Sequence, residues 1–538
     1  MPTLDWLNRA EALKIVDAVP YRLLEHVSSH GDISQGNLLI QGDNLDALKA
    51  LLPMYRGRVK CIFIDPPYNT KSAFEHYDDN LEHSQWLSMM YPRLLLLREL
   101  LALDGVIWVI LDGSEMHYCK VLMDEIFGRQ NLLSTVTTTT NDPSGFKATS
   151  ASIFSTANYM LAYKKDKACK PLKKVWIAKG YDTGYSKVLV DRSLPHQKWT
   201  WVNIADVTAK KLGYSSVKEA KKNLPDTFED EIAIFALENA RRVFQLVAIG
   251  GGAAIKRRET IELSRKKREI VLMHPDEDVP DFYIANGRQL VFYDKRLAEI
   301  NGTLMPAELV TDVWTDISWN GIGPEGAVDF KNGKKPEELI KRVLEMSTLP
   351  GDLVLDSFLG SGTTAAVAHK MSRNFIGVEM GEQINSHCLP RLLGVVNGEQ
   401  SGISETVGWK GGGGFQFLKL GAPVFDESGA INPNVRFDTL AHFIWLQETQ
   451  TASGKRFQKP LLGVHNGTAY YLLFNGILGD KRPQGGNVLT GSVIDMLRKQ
   501  YPHDGPKVVY GEGCGLGAAR LEAAGITFKH IPYEVKAR

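Results

Sequence analysis

The sequence offers no strong net charge, no long unbroken apolar run, no paired cysteines and no G-x-x-x-x-G-K-[ST] loop. Each absence narrows the reading. A formal net charge of +1 leaves nucleic-acid binding to the placement of charge, not its sum. The apolar stretch 94–111 is broken by Arg98, Glu99 and Asp104, so it is not expected to cross a bilayer. The five cysteines, Cys61, Cys119, Cys169, Cys388 and Cys514, form no C-x-x-C pair. Neither a zinc site nor a disulfide framework is expected from them, and a reducing, cytoplasmic setting fits. Without a P-loop, the chain is not expected to carry an ATPase of its own. Residues 1–14 place Asp5, Arg9 and Glu11 among apolar residues, the pattern of an amphipathic helix and not of a signal peptide. No internal repeat of fixed period is visible.

What is present is a long chain of ordinary globular composition. Its 538 residues, 43% hydrophobic and 23% charged, are too many for one core and predict two or three domains. Residues 1–35 read as an N-terminal helical segment. From 36 to 135, strands alternate with helices. Leu38-Leu39-Ile40 and Val59-Lys60-Cys61-Ile62-Phe63-Ile64 are apolar, as is the run from Gly105 to Leu111. Such alternation predicts a parallel sheet covered on both faces. Residues 136–325 are irregular and rich in Lys, Arg and aromatics, and read as an inserted domain. The α/β pattern returns over 326–405, with Leu353-Val354-Leu355 and the strand 374–378. Residues 406–538 begin with a glycine-rich stretch, where Gly411-Gly412-Gly413-Gly414 make a hinge or tight turn, and read as a small C-terminal α/β domain.

Two motifs carry chemistry. Asp65-Pro66-Pro67-Tyr68 ends the strand 59–64. Two prolines remove two N–H donors and fix two φ angles, so this corner presents carbonyls. A carboxylate before them and an aromatic face after them suit an exocyclic amine and the ring that carries it. The plain alternative is a strand-ending turn, for which Asp-Pro is an ordinary choice. The second motif, Asp356-Ser357-Phe358-Leu359-Gly360-Ser361-Gly362-Thr363-Thr364, follows the strand 353–355. Its glycines allow a tight turn and close approach of a ligand to a helix N-terminus. Glu379 lies seventeen residues past Gly362, where an acid is placed to grip a ribose. NAD and S-adenosylmethionine (SAM) both carry that ribose, so this motif alone does not separate them.

These residues resemble β-class amino-methyltransferases acting on DNA, and in particular the modification subunits of type III restriction–modification systems. The likeness rests on Gly42-Asp43-Asn44-Leu45, on Asp65-Pro66-Pro67-Tyr68-Asn69-Thr70, and on the segments 86–94 and 123–128. It also rests on Lys335-Pro336-Glu337, the loop 356–364, Gly377-Val378-Glu379-Met380 and the stretch 409–414. The order, catalytic motif first and cofactor motif last, is the family's. The resemblance implies a seven-stranded, mostly parallel, Rossmann-like methyltransferase sheet with circularly permuted motifs, and SAM as donor. It implies a catalytic corner of Asp65, Pro66, Pro67 and Tyr68. It assigns to the cofactor Phe358, Gly360 and Gly362, with Asp356 and Thr363 in the same loop. Glu379 falls on the ribose, Asp43 near the adenine, and Lys335 and Pro336 on the flanking helix. It further implies base flipping, a homodimer and a helicase–nuclease partner. An Asp in the first place of the catalytic motif favours adenine N6 over cytosine N4. One departure is that the segment 156–161, leading into Tyr159, lacks the His-Glu often found there.

The basic segment 255–270 carries Lys256, Arg257, Arg258, Arg265, Lys266, Lys267 and Arg268 against three acids. It is expected to contact double-stranded DNA, chiefly at phosphates, although a solvated helix face is the common fate of such a run. The acidic run 276–278 reads as a solvated loop, not a metal site. Three competitors stand beside adenine methylation: a cytosine-N4 enzyme, a subunit chiefly for DNA recognition, and an NAD oxidoreductase, which leaves Asp65–Tyr68 unexplained.

Overall fold

The computed structural model describes residues 3–69, 82–140, 155–275, 282–300, 302–330, 333–426, 430–453, 455–478 and 487–531. Two compact units emerge, one of residues 1–173 with 311–538 and the other Lys174–Val310.

The first unit is organised by a ten-stranded sheet. Its strands in chain order are β1 (Arg22–Gly31), β2 (Leu38–Gln41), β3 (Val59–Ile64), β4 (Leu101–Leu111), β5 (Leu132–Thr139), β6 (Ala157–Lys164), β7 (Val313–Trp314), β8 (Leu353–Asp356), β9 (Asn374–Glu379) and β10 (Gly414–Pro423). Across the sheet they run β1-β10-β2-β9-β8-β3-β4-β6-β5-β7. The expected seven-stranded sheet, β2 to β5 in that order, is the centre. It is parallel except for β6, which is antiparallel to both neighbours. Three further strands extend its two edges.

Continuous apolar strands with few alternating polar positions become the buried middle. Residues 61–64 of β3 and 106–111 of β4 are almost wholly shielded from water, as a parallel sheet covered on both faces requires. The covering helices are α1 (Arg9–Ala18), α2 (Asn44–Tyr55), α3 (His83–Leu100), α4 (Met116–Met123), α5 (Glu337–Ser347), α6 (Thr363–Lys370) and α7 (Leu389–Val396). Asp43 caps α2, its carboxylate accepting from Leu45 N at 2.8 Å and Asp46 N at 3.3 Å.

Three expected boundaries move. The N-terminal segment is not only helical: β1 pairs antiparallel with β10 along the sheet edge. The insertion is narrower than 136–325, because β5, β6 and β7 complete the main sheet and leave Lys174–Val310 as the separate unit. The C-terminal region gives β10 to the main sheet before forming its own four-stranded sheet from Leu461–His465, Thr468–Leu472, Lys507–Gly511 and Ile526–His530. The second unit holds a six-stranded and a three-stranded sheet with short helices. Among the described residues, no helix is long and apolar enough to cross a membrane, and no cluster of three metal-ligating side chains occurs.

Candidate active site

Strands β3 and β8 are parallel neighbours, with Leu355 opposite Ile62. The chain leaves β8 toward β9 on one side and β3 toward β4 on the other. Such a switch point, at the carboxyl ends of the strands, is where open α/β sheets bind ligands. Both sequence motifs sit there. Asp65 follows β3, Asp356 ends β8, and the two carboxylates are close enough for Asp65 to raise the pKa of Asp356.

At the proline corner, Lys335 Nζ forms an ion pair with Asp65 Oδ2 and also donates to the Gly333 carbonyl at 3.0 Å. The same ammonium lies 5.2 Å from the centre of the Tyr68 ring. Asp65 Oδ1 is buried and meets no hydrogen-bond partner among the described residues. Removal from water raises the Asp65 pKa above the usual carboxylate range, opposed by the Lys335 ammonium and, less, by the Tyr68 hydroxyl. The corner is braced from behind. Trp86 Nε1 donates to the Pro67 carbonyl at 2.8 Å, and Asn158 Nδ2 to the Tyr68 hydroxyl at 3.1 Å. Asn158, beside Tyr159 at the start of β6, thus holds the Tyr68 ring by its hydroxyl. Asn69, at φ +59°, reaches Glu115 at 2.7 Å.

At the glycine corner, Gly360 and Gly362 have φ of +56° and +82°, a region only glycine enters freely. The backbone then turns sharply into α6. Asp356 accepts from Phe358 N at 2.9 Å and from Thr364 Oγ1 at 2.6 Å. Burial nevertheless pushes its pKa up to about 7, with Asp65 and Glu379 adding to the rise. Glu379 ends β9 with its carboxylate pinned by Gly360 N at 2.7 Å, Met380 N at 2.9 Å, Gly381 N at 3.2 Å and Gln383 Nε2 at 2.8 Å. Asn44 ties in the end of β2, its amide donating to the Ser357 carbonyl at 2.8 Å. Asp43 faces Arg93 at 3.1 Å.

Beneath the glycine corner lies an ion network with no exposure at its centre. Glu337 accepts from Arg391 at 2.7 Å and from Lys370 at 2.8 Å, and all three side chains are fully buried. Lys370 also meets Glu399 at 2.5 Å. Arg391 Nη1 donates to Thr363 Oγ1 at 2.8 Å. Pro336, the residue before α5, precedes Glu337 directly. One network therefore fixes both the glycine loop and the segment that delivers Lys335.

The structure brings together all four catalytic candidates and, around them, Lys335, Pro336, Asp356, Phe358, Gly360, Gly362, Thr363 and Glu379. It places Lys335 on Asp65, whereas the sequence resemblance assigns it to the cofactor. Arg93 lies in the segment 86–94 and Asn158 in the segment 156–161, but neither was assigned to the site from sequence, and Arg391 carries no motif signal; a lone arginine amid Leu389–Val396 gives no hint of its partners. In the second unit, Arg257 is corrected. It is buried, with its guanidinium 4.1 Å from the Phe282 ring centre, because it occupies the N-cap position of the Arg258–Lys266 helix on the side where Ile261 and Ser264 are buried. Lys256, Arg258, Arg265, Lys266, Lys267 and Arg268 are exposed, and Arg258 pairs with Glu262 at 3.1 Å. Thr70 and the acidic run 276–278 lie outside the described residues.

Fold and site together define a doubly wound α/β protein with a carboxylate–aromatic corner and a glycine loop at one switch point. The chain belongs to the DNA methylase family, whose model matches residues 59–387. It is 36% identical over 417 residues to the "probable type III restriction-modification enzyme HindVI Mod subunit" of Haemophilus influenzae, covering 73% of this chain and 54% of that protein. It is 27% identical over 442 residues to the type III restriction-modification enzyme EcoPI Mod subunit of Escherichia phage P1, covering 71% and 64%. The chain thus spans little more than half to under two thirds of these relatives' lengths. Among solved structures, the M1.HpyAVI–SAM complex is matched at 13% identity and a TM-score of 0.31, over 66% of this chain and 98% of that one.

Proposed function

We propose that the chain is a site-specific DNA methyltransferase that transfers the methyl group of S-adenosylmethionine to adenine N6, as the modification subunit of a type III restriction–modification system. The observation that carries this reading is the meeting of the Asp65–Tyr68 corner and the Gly360–Gly362 loop at adjacent strand ends. The buried Asp65 Oδ1, unpartnered among the described residues, supports an amine as the group received. The two left-handed glycines and the pinned Glu379 support a nucleoside-bearing cofactor.

In this reading the glycine loop holds the methionine end of the cofactor, Glu379 faces its ribose, and Asp43 and Pro336 flank it. When bound, SAM supplies a methyl group on a positively charged sulfur and leaves as a neutral thioether. Asp65 Oδ1 and the Pro66 carbonyl accept the two N–H bonds of the base's amine, drawing its lone pair out of the ring. Tyr68 stacks on the base, which must leave the duplex at a cost of a few kcal/mol. The new N–C bond forms as the C–S bond breaks, and the proton shed by the amine passes to Asp65 or on to water. Acceptors already in place stabilise the charge developing on that nitrogen, and alignment contributes much of the rest. The exposed basic residues of the second unit bind DNA phosphates. A cytoplasmic homodimer with a helicase–nuclease partner completes the proposal; both rest on the family resemblance.

The test is methyl transfer from radiolabelled SAM to DNA, followed by mass spectrometry of the nucleosides. N6-methyladenine is expected. N4-methylcytosine would replace the base assignment, and an unlabelled DNA would end the proposal. Asp65→Ala should retain SAM binding and lose methyl transfer by at least about 100-fold.

A further inference from the structure

Resting on the methyltransferase reading, we infer that Lys335 is a positioning residue. It holds Asp65 by one oxygen and Tyr68 by its ring, so that the other carboxylate oxygen is presented to the base's amine. The two oxygens of the carboxylate differ in their surroundings. Oδ2 is taken by the Lys335 ammonium, whereas Oδ1 is buried without a partner among the described residues. A carboxylate so divided cannot rotate to offer Oδ2 without breaking the ion pair. The ammonium also stands 5.2 Å from the Tyr68 ring centre, joining the acceptor and the stacking surface into one unit before the base arrives.

The lysine itself has little freedom. Its side chain is 8% exposed, and its ammonium has a second anchor on the Gly333 carbonyl. Its backbone runs straight into Pro336 and Glu337. Glu337 N donates to Glu325 at 3.0 Å, while its carboxylate holds the buried Lys370 and Arg391. The ammonium is therefore delivered by a clamped segment from a distant part of the chain, not by a flexible surface arm.

The electrostatic consequence follows from what faces Asp65. Tyr68 lies on its own corner, Asp356 on the end of β8, and beyond it Glu379 on the end of β9. Of these groups Lys335 is the cation, set against two acids in a water-poor setting. Burial raises the Asp65 pKa and Lys335 opposes that rise. Loss of the lysine charge should raise it further. The ionised carboxylate that accepts the amine would then exist only at higher pH.

The experiment is the pH dependence of single-turnover methyl transfer for wild type, Lys335→Met and Lys335→Arg, with SAM affinity measured by calorimetry. In Lys335→Met the acid limb should move up by about one pH unit, so that the rate falls about tenfold on the acid side and largely returns in alkali. Lys335→Arg should keep the wild-type limb. SAM affinity should change little in either. The comparison repeated in Asp356→Asn removes the titration of that neighbour and should give the same displacement. A limb that stays in place, or a rate lowered equally at every pH, overturns the inference. A readout independent of turnover is infrared difference spectroscopy against Asp65→Ala, in which the Asp65 carboxyl should titrate at higher pH in Lys335→Met than in wild type. Equal titration overturns the inference even if no methyl transfer is seen. An inactive wild-type protein whose carboxyl does shift strikes only the methyltransferase reading.

Discussion

The two units use charge in opposite ways. Around the glycine corner, Glu337, Lys370 and Arg391 are fully buried and bound to one another. In the Arg258–Lys266 helix of the inserted unit, the charges stand exposed, and the neighbouring Arg257, which is buried, rests on an aromatic ring. Buried ions carry a desolvation cost that close pairing must offset, and their geometry is correspondingly strict. They belong where a loop must be held in one shape. Exposed charges contribute little to stability and remain open to a partner surface. The contrast separates residues that build a site from residues that can meet a long anionic polymer.

The sharpest way to break this contrast is Glu337→Ala. It leaves Arg391 and Lys370 buried without their shared partner and should lower unfolding stability by about 3–5 kcal/mol, read as a drop in the denaturant midpoint. A loss below about 1 kcal/mol would mean the network behaves like a surface pair. Next comes a pH effect. The Asp356 carboxyl titrates near 7 in the folded protein and near its ordinary value when unfolded. The folded state therefore binds more protons between those values, and stability falls as pH rises through about 7. Asp356→Asn should remove that part of the fall, seen as a smaller drop in Tm between acid and alkaline buffer than in wild type. Smallest in stability is the double change Lys266→Ala with Lys267→Ala, expected within about 0.5 kcal/mol of wild type. Arg257→Ala beside it should cost about 1–2 kcal/mol through its ring contact. The lysine pair should instead reduce the salt dependence of DNA affinity, by up to about one unit of log–log slope for each phosphate that is no longer neutralised.

Much of the centre was legible because parallel strands announce themselves. Apolar runs such as 59–64 and 106–111 have few other uses, and the turns after two such strands carried both motifs. The edges were not. β1 contains Glu25, His26, Ser28, Ser29 and His30, a polar series that gives no core signal because the strand is exposed along much of its length. β6 falls within the expected insertion since the sequence before it is irregular, and only pairing with β4 places it in the main sheet. At the site, both motifs and Lys335 stood out in the sequence. Arg391 did not, nor did the pairing of Lys335 with Asp65, because nothing local links Arg391 to Thr363 or Lys335 to Asp65.

The pairing of β1 with β10 has a practical side. β10 lies between β2 and β1, its inner side matched by Leu38–Gln41 and its outer side by Arg22–Gly31. A chain shortened to begin near residue 36 would uncover the outer backbone groups of Gly414–Pro423, some four hundred positions downstream. Bare strand margins of this kind recruit other molecules, so such a trimmed protein should aggregate, whereas an affinity tag placed ahead of α1 should be tolerated.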